Sequence, residues 1–264
     1  SLRQEGFWND DLLYPNLKEY LDLVALGTIG DIAPLVDENR IFVKIGLDLM
    51  TEDKRIGIRA LKLVSGIEHQ VIDSSKASFC LIPRINAAGR VASAKEAVEL
   101  LLAEKSEQAE ELAWKLDGFN RKRQAMEKLI FSEIIEQVGD QFDTGKIGPL
   151  VFASPHWHPG VIGIVASRMV DRFGRPAILI SLKDGVGKGS GRSIADFNIY
   201  QGLKRCDSLL LSYGGHHYAA GISIREEDIA QFSILFRNVV QENSPETDFT
   251  AFTTIDAQCS LAEI

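Results

Sequence analysis

Two glycine-rich stretches combine residue types suited to gripping an oxyanion: Gly187 to Ser193 (Gly-Lys-Gly-Ser-Gly-Arg-Ser) and Gly214 to Gly221 (Gly-Gly-His-His-Tyr-Ala-Ala-Gly). In each, bare backbone that lets amide N–H groups approach an anion stands beside side chains that donate to phosphate. These are Lys188, Ser190, Arg192 and Ser193 in the first stretch, and His216 after Gly214 and Gly215 in the second. The first stretch reads as a loop, yet it is neither common phosphate loop. A P-loop would place glycine at 182 and Ser or Thr at 189, where the chain has Leu182 and Gly189. The dinucleotide fingerprint fails because Arg192 stands where a third glycine belongs. Plain tight turns are the simpler alternative for both stretches.

Three other places carry chemistry-bearing residues. Pro83 to Arg90 sets Arg84, Asn86 and Arg90 among small residues, and two guanidiniums with an amide suit bidentate phosphate recognition; a salt-bridged turn is the alternative. Asp31 lies among Gly27, Gly30 and Pro34, which present its carboxylate sharply, as for a ligand. His156-Trp157-His158 has two imidazoles but no nearby Cys or carboxylate, so it reads as the turn that starts the next helix, with Trp157 stacking on a base as a further option. Arg121-Lys122-Arg123 reads as a solvated helix face.

The elements that must position these residues change character along the chain. Residues 20–35 open as an apolar helix or strand that breaks at Gly27 and Gly30, and 39–64 carry helical spacing at Ile45, Leu49, Ile58 and Leu61. Ser93 and Glu96 have capping-box form ahead of an apolar helix to Leu102. Residues 107–138 contain no Pro and repeat apolar residues at helical spacing, which predicts one long amphipathic helix, about 45 Å at 1.5 Å per residue. From Gly148 onward strand and helix alternate: strand 149–153, helix 160–173, strand 177–182, helix from Asn198, strand 221–224 and helix 227–240. This alternation predicts an α/β domain around a sheet with parallel strands. Residues 249–257 read as the start of a β-module.

Bulk properties bound the function. With 45% apolar and 25% charged residues over 264 positions, the composition is that of a globular protein large enough for one or two domains. No apolar run has the length of a membrane span and no signal-peptide pattern opens the chain, so a cytoplasmic location is the default. Cys80, Cys206 and Cys259 lack metal-ligand or disulfide spacing and read as reduced thiols, mostly buried. A net charge of −8 counts against indiscriminate nucleic-acid binding. The charge is segregated, however: Lys183, Lys188, Arg192, Lys204 and Arg205 surround the glycine stretches, while acidic residues gather in 96–143, a pattern that suits a basic groove on an acidic body. A first residue other than Met and an unfinished apolar run at Leu261 to Ile264 read as a portion of a longer protein.

Leu26 to Leu35, Pro83 to Arg90, Trp157 to Arg168, Gly187 to Ser193 and Gly214 to Gly221 together resemble the RecJ-type single-strand-specific 5′→3′ exonucleases of the DHH phosphoesterase superfamily. The resemblance implies an α/β fold with four parts. Residues 1–106 would be the C-terminal part of a DHH catalytic domain, 107–138 a connecting helix, 147–243 a DHH-associated substrate-binding domain, and 247–264 the beginning of an OB-fold. Asp31 would be the last acidic ligand of a two-metal site using Mn²⁺ or Mg²⁺. Arg84, Asn86 and Arg90 would lie near the scissile phosphate. Lys188, Ser190, Arg192, Ser193, Gly214, Gly215 and His216 would follow the backbone of single-stranded DNA.

The family's earlier ligands, including Asp-His-His itself, do not occur; Gly215-His216-His217 is a different motif. The resemblance therefore implies that the two-metal site is not assembled in this chain alone, which binds the strand without cleaving it. It also names a helicase or single-strand-binding protein as candidate partners in DNA repair and recombination and leaves the oligomeric state open. A DHH phosphodiesterase acting on dinucleotides or short oligonucleotides and a non-catalytic DNA-binding relative are the alternative readings.

Overall fold

The computed structural model describes residues 4–6, 8, 15–139, 148–243, 255 and 258–260. It divides into two compact units, Ser1–Arg123 and Gln124–Ile264. The β-module expected over 247–264 lies outside the described residues apart from Ile255 and 258–260.

The first unit is helical: α1 (Leu21–Gly30), α2 (Asp37–Thr51), α3 (Ile56–Val64), the single turn α4 (Ser74–Lys76), a π-helical turn (Ala77–Leu81), α5 (Ile82–Val91), α6 (Lys95–Leu101) and the first part of α7 (Ser106–Val138). Its core gathers Ala25, Val43, Met50, Leu61, Leu81, Leu100 and Leu116. Among the described residues of this unit, the buried charged side chains have partners. Arg55 grips Asp22, donating to Oδ1 at 3.0 Å. Lys62, 1% exposed, donates to the carbonyls of Met50 and Thr51 and to Asp53 Oδ1 at 2.6 Å. Its ammonium thus closes the negative end of α2. The expected capping box differs in detail: Ser93 Oγ accepts from Lys95 N–H, and Glu96 reaches Lys115 of α7 at 3.2 Å instead of turning back.

Beyond Arg123, α7 continues to Val138, so the expected long helix is a single element of 33 residues. The second unit follows with β1 (Leu150–Ser154), α8 (Pro159–Phe173), β2 (Ala177–Lys183), β3 (Val186–Arg192), α9 (Ile199–Lys204), β4 (Leu210–Gly215), β5 (Ala219–Arg225) and α10 (Ile229–Asn243). The sheet order is β1-β2-β3-β5-β4; β1 and β2 are parallel, joined through α8, and the other pairs are antiparallel. His158 caps α8 with its side chain, Pro159 takes the first helical position, and Gly174 ends the helix in the left-handed region at φ 62°. Asn198 caps α9, accepting from Gln201 N–H at 3.1 Å.

The Gly187 to Ser193 stretch is not a loop. It forms β3, the middle strand of the sheet, and the reason is steric. Gly187, Gly189 and Gly191 alternate on the face where Ile178, Ile180, Ile222 and Ile224 meet Ile199, Phe232 and Phe236 of α9 and α10. A Cβ at Gly187 would lie 2.6 Å from Ile180, one at Gly189 2.5 Å from Ile222, and one at Gly191 2.6 Å from Ile199. The glycines make room for large aliphatic side chains, a role that turn grammar does not reveal. Gly214 to Gly221 likewise ends β4 and opens β5, with His216, His217 and Tyr218 as the hairpin tip.

Of the three cysteines only Cys206 is buried; Cys80 is half-buried and Cys259 exposed, which corrects the expectation of mostly buried thiols. Burial pushes the Cys206 thiol up to about 11.

Two outcomes follow from this packing. Gly189→Ala should overpack the sheet against Ile222 and lower the stability of the second unit by about 1–3 kcal/mol, read by chemical denaturation; an unchanged midpoint would contradict the packing role. At pH 8 a thiol reagent should label Cys259 at once and Cys206 only as the second unit unfolds, because Cys206 is both enclosed and protonated. Equal labelling rates under native conditions would contradict the burial.

Candidate nucleic-acid interface

The alternation that turns the β3 glycines inward turns Lys188, Ser190 and Arg192 to the opposite face. Register extends that face across the sheet: Lys188 pairs with Ser223, Ser190 with Gly221 and Arg192 with Ala219, while on β4 Ser212 pairs with Ser223 and Gly214 with Gly221. Helix α8 packs over β2 and β3 on this side. Beside it, Pro159, Ile162, Lys188, Ser190, Ser212 and Ser223 line an open depression of about 530 Å³ floored by Gly214 and Gly221. Small floor residues, hydroxyls and a lysine ammonium make a shallow polar groove that an extended polyanion can enter closely. The two glycine stretches are therefore brought together, as neighbouring strands of one sheet.

Arg192 is held in place at the border between this groove and α8. Its Nη1 donates to Ser190 Oγ at 3.0 Å and to the Gly191 carbonyl at 2.8 Å. The space it occupies exists because position 163 on α8 is glycine: a Cβ there would lie 2.9 Å from Ser190 Oγ and 3.1 Å from Arg192 Nη2. Gly163, which the motif reading did not single out, thus seats both side chains.

The residues flanking these strands divide. Ser193 is turned inward: 8% exposed, its hydroxyl donates to the Phe197 carbonyl at 2.6 Å, and its N–H bonds the Tyr218 carbonyl. His216 is exposed, with its N–H on the Ala219 carbonyl at 2.8 Å. Gly215 holds φ 149°, and a Cβ there would lie 2.3 Å from the Ala219 oxygen, so the tip requires glycine at this point. His217 packs back, its Nε2 bonded to the Ala195 carbonyl at 2.8 Å. Trp157 does not offer a ring for stacking: it is 3% exposed and donates to Glu133 Oε2 at 2.6 Å.

In the first unit, the segment Pro83 to Arg90 belongs to helix α5, not to a turn. Arg84 points inward, donating to Asp117 Oδ1 of α7 at 2.9 Å and to the Cys80 carbonyl at 2.6 Å. Asn86 and Arg90, one turn apart, occupy the exposed side. Asp31 is exposed at the end of α1, its N–H still bonded to Gly27, and Ile32 follows at φ 55° with 89% exposure. Gly30 approaches Ile82, placing the end of α1 at the start of α5. Among the described residues no three His, Cys, Asp or Glu side chains gather to hold a metal ion. Asp31 alone does not make a two-metal site, which needs several such ligands.

Ser212 and Ser223 are not marked by the motifs, although a local signal exists: Ala219, Gly221 and Ser223 alternate with the buried Ala220, Ile222 and Ile224 on β5, and Ser212 and Gly214 sit opposite them on β4.

Known proteins match the chain in sequence and in fold. Residues 146–242 match the DHHA1 domain, which covers the whole sheet. The single-stranded-DNA-specific exonuclease RecJ of Bacillus subtilis is 40% identical over 249 residues, covering 93% of this chain and 31% of that protein. RecJ of Escherichia coli is 39% identical over 254 residues, 91% of this chain and 43% of that protein. The crystal structure of Thermus thermophilus RecJ in complex with Mg²⁺ superimposes with a TM-score of 0.79 at 33% identity, covering 91% of this chain and 36% of that one. A structure of exonuclease RecJ bound to manganese gives 0.77 at 32% identity, covering 94% and 60%. The chain spans between about a third and under a half of the length of the curated relatives it matches. Residues 146–242 thus match the DHHA1 domain, in a chain similar over most of its length to the RecJ single-stranded-DNA-specific exonucleases.

Proposed function

We propose that this chain is the strand-gripping portion of a metal-dependent exonuclease that hydrolyses single-stranded DNA from the 5′ end in repair and recombination. The observation that carries the reading is the open face of β3, β5 and β4, where Lys188, Ser190 and Arg192 stand over a floor of Gly214 and Gly221. Phosphates lying along that floor receive the Lys188 ammonium and the Arg192 guanidinium as charge-assisted donors, with Ser190 holding Arg192 in position. His216 stands at the hairpin tip that continues this face, and Ser193 contributes by bracing that tip.

In the first unit the Arg84–Asp117 pair fixes α5 against α7. That leaves Asn86 and Arg90 as the members of the motif suited to reach a phosphate, with Asp31 as the carboxylate this chain contributes to a divalent-metal site. The relatives solved with Mg²⁺ and Mn²⁺ support a divalent cofactor for the intact protein. Ions of that kind would supply water activation and charge neutralisation in phosphodiester hydrolysis.

Titration of a labelled single-stranded oligonucleotide at several salt concentrations tests the grip. Arg192→Ala should weaken binding by roughly tenfold or more and reduce the salt slope by ~0.7–1, the effect of one lost phosphate contact. Gly163→Ala should fold normally, because it displaces only the flexible ends of Ser190 and Arg192, yet it should bind as weakly as Arg192→Ala. Added to Arg192→Ala it should cost nothing more. An unchanged slope in Arg192→Ala removes that residue from the phosphate path.

A further inference from the structure

A cavity of about 910 Å³ in the second unit adjoins the groove. It lies between α7, the β1–α8 connection and the β2–β3 hairpin, past the carboxyl ends of the two parallel strands, where open α/β sheets receive ligands. Its apolar lining comes from two elements, Met126, Leu129 and Ile130 of α7 and Leu182 and Val186 of the hairpin. Leu129 is 64% exposed on the cavity's rim. Polar groups at the mouth are chiefly donors. Lys183 and Lys188 line it, and the carboxylate of Glu133 is occupied by the Trp157 indole. His158 accepts from Gly160 N–H through Nδ1 at 3.1 Å, so its neutral ring carries the proton on Nε2 as a donor. Asp184 is the acidic residue of the lining without that engagement; it is exposed at the hairpin turn.

Lys188 and Pro159 line both this cavity and the polar depression, so the two form one continuous surface. From that continuity we infer that the cavity takes an unpaired nucleobase of the strand whose phosphates cross Lys188. The inference rests on the proposed strand-gripping function. The base inserts between Leu129 and Val186, Lys183 and Lys188 sit on its flanking phosphates, and His158 Nε2–H donates to an exocyclic oxygen or ring nitrogen. A base can enter only when it is unstacked and unpaired, so the cavity also discriminates single strands from duplex.

The test walks a single abasic site along a single-stranded oligonucleotide and measures affinity for this chain, with 2-aminopurine placed at the responsive position as a second readout. One position should lose about fivefold or more when its base is removed. 2-Aminopurine there should change fluorescence on binding. In Leu129→Asp, and independently in Val186→Asp on the hairpin, the position-specific loss and the fluorescence change should vanish while the Arg192-dependent salt slope stays. A normal salt slope with no sensitive position, or a sensitive position that persists in both variants, overturns the base site and leaves the strand grip standing. The same holds if the cavity binds a peptide with 2-aminopurine undisturbed. Absence of any Arg192-dependent slope overturns both.

Discussion

Strand β3 must satisfy two incompatible demands, and glycine at every second position is how it does so. On one face it lies under the isoleucines of β2 and β5 and the helices α9 and α10 at distances that leave no space for a Cβ. On the other it carries Lys188, Ser190 and Arg192. Because the side-chain period of a strand is two, inward packing and outward chemistry are locked in phase. A slip of one residue would bury a lysine and an arginine among aliphatic side chains and expose the glycines. Register here is therefore fixed by the core, and the core in turn aims the polar face.

The neighbouring elements depend on the same phase. Helix α8 meets the polar side of β3 through Gly163, and the space that glycine leaves is filled by Ser190 and Arg192. The β4–β5 tip is tied to the segment after β3 by the backbone bonds of Ser193 to Tyr218 and Ile199 to His217. The donors of the groove thus stand on strands and a helix braced on several sides, so little ordering entropy is left to lose on binding. In the first unit the same economy appears in Arg84, whose guanidinium is spent on Asp117 and so orients the helix that exposes Asn86 and Arg90.

Much of this was legible in the residues. The apolar runs at 150–154 and 177–183, the cap at Asn198 and the Pro-Gly start of α8 announce themselves through periodicity and turn chemistry, and so does the long α7. The glycine stretches show their chemistry in their residue types but not their shape. Gly-Lys-Gly-Ser-Gly-Arg has no apolar alternation, so nothing local marks it as a strand. Its strand character comes from isoleucines that are distant in sequence and need the glycines absent of side chains. Arg84 shows the converse: its residue type suits a phosphate, but its partner Asp117 lies 33 positions away and is visible only in the fold.

The most direct test of the account is where a single strand touches the second unit. In a titration of isotope-labelled chain with a single-stranded oligonucleotide, the amide resonances of Lys188, Ser190, Ser212, Gly214, Gly221 and Ser223 should move together, while those of α10 stay still. Perturbations centred on α10 or scattered over both faces of the sheet would contradict the claim that the alternation of β3 builds a strand-binding face.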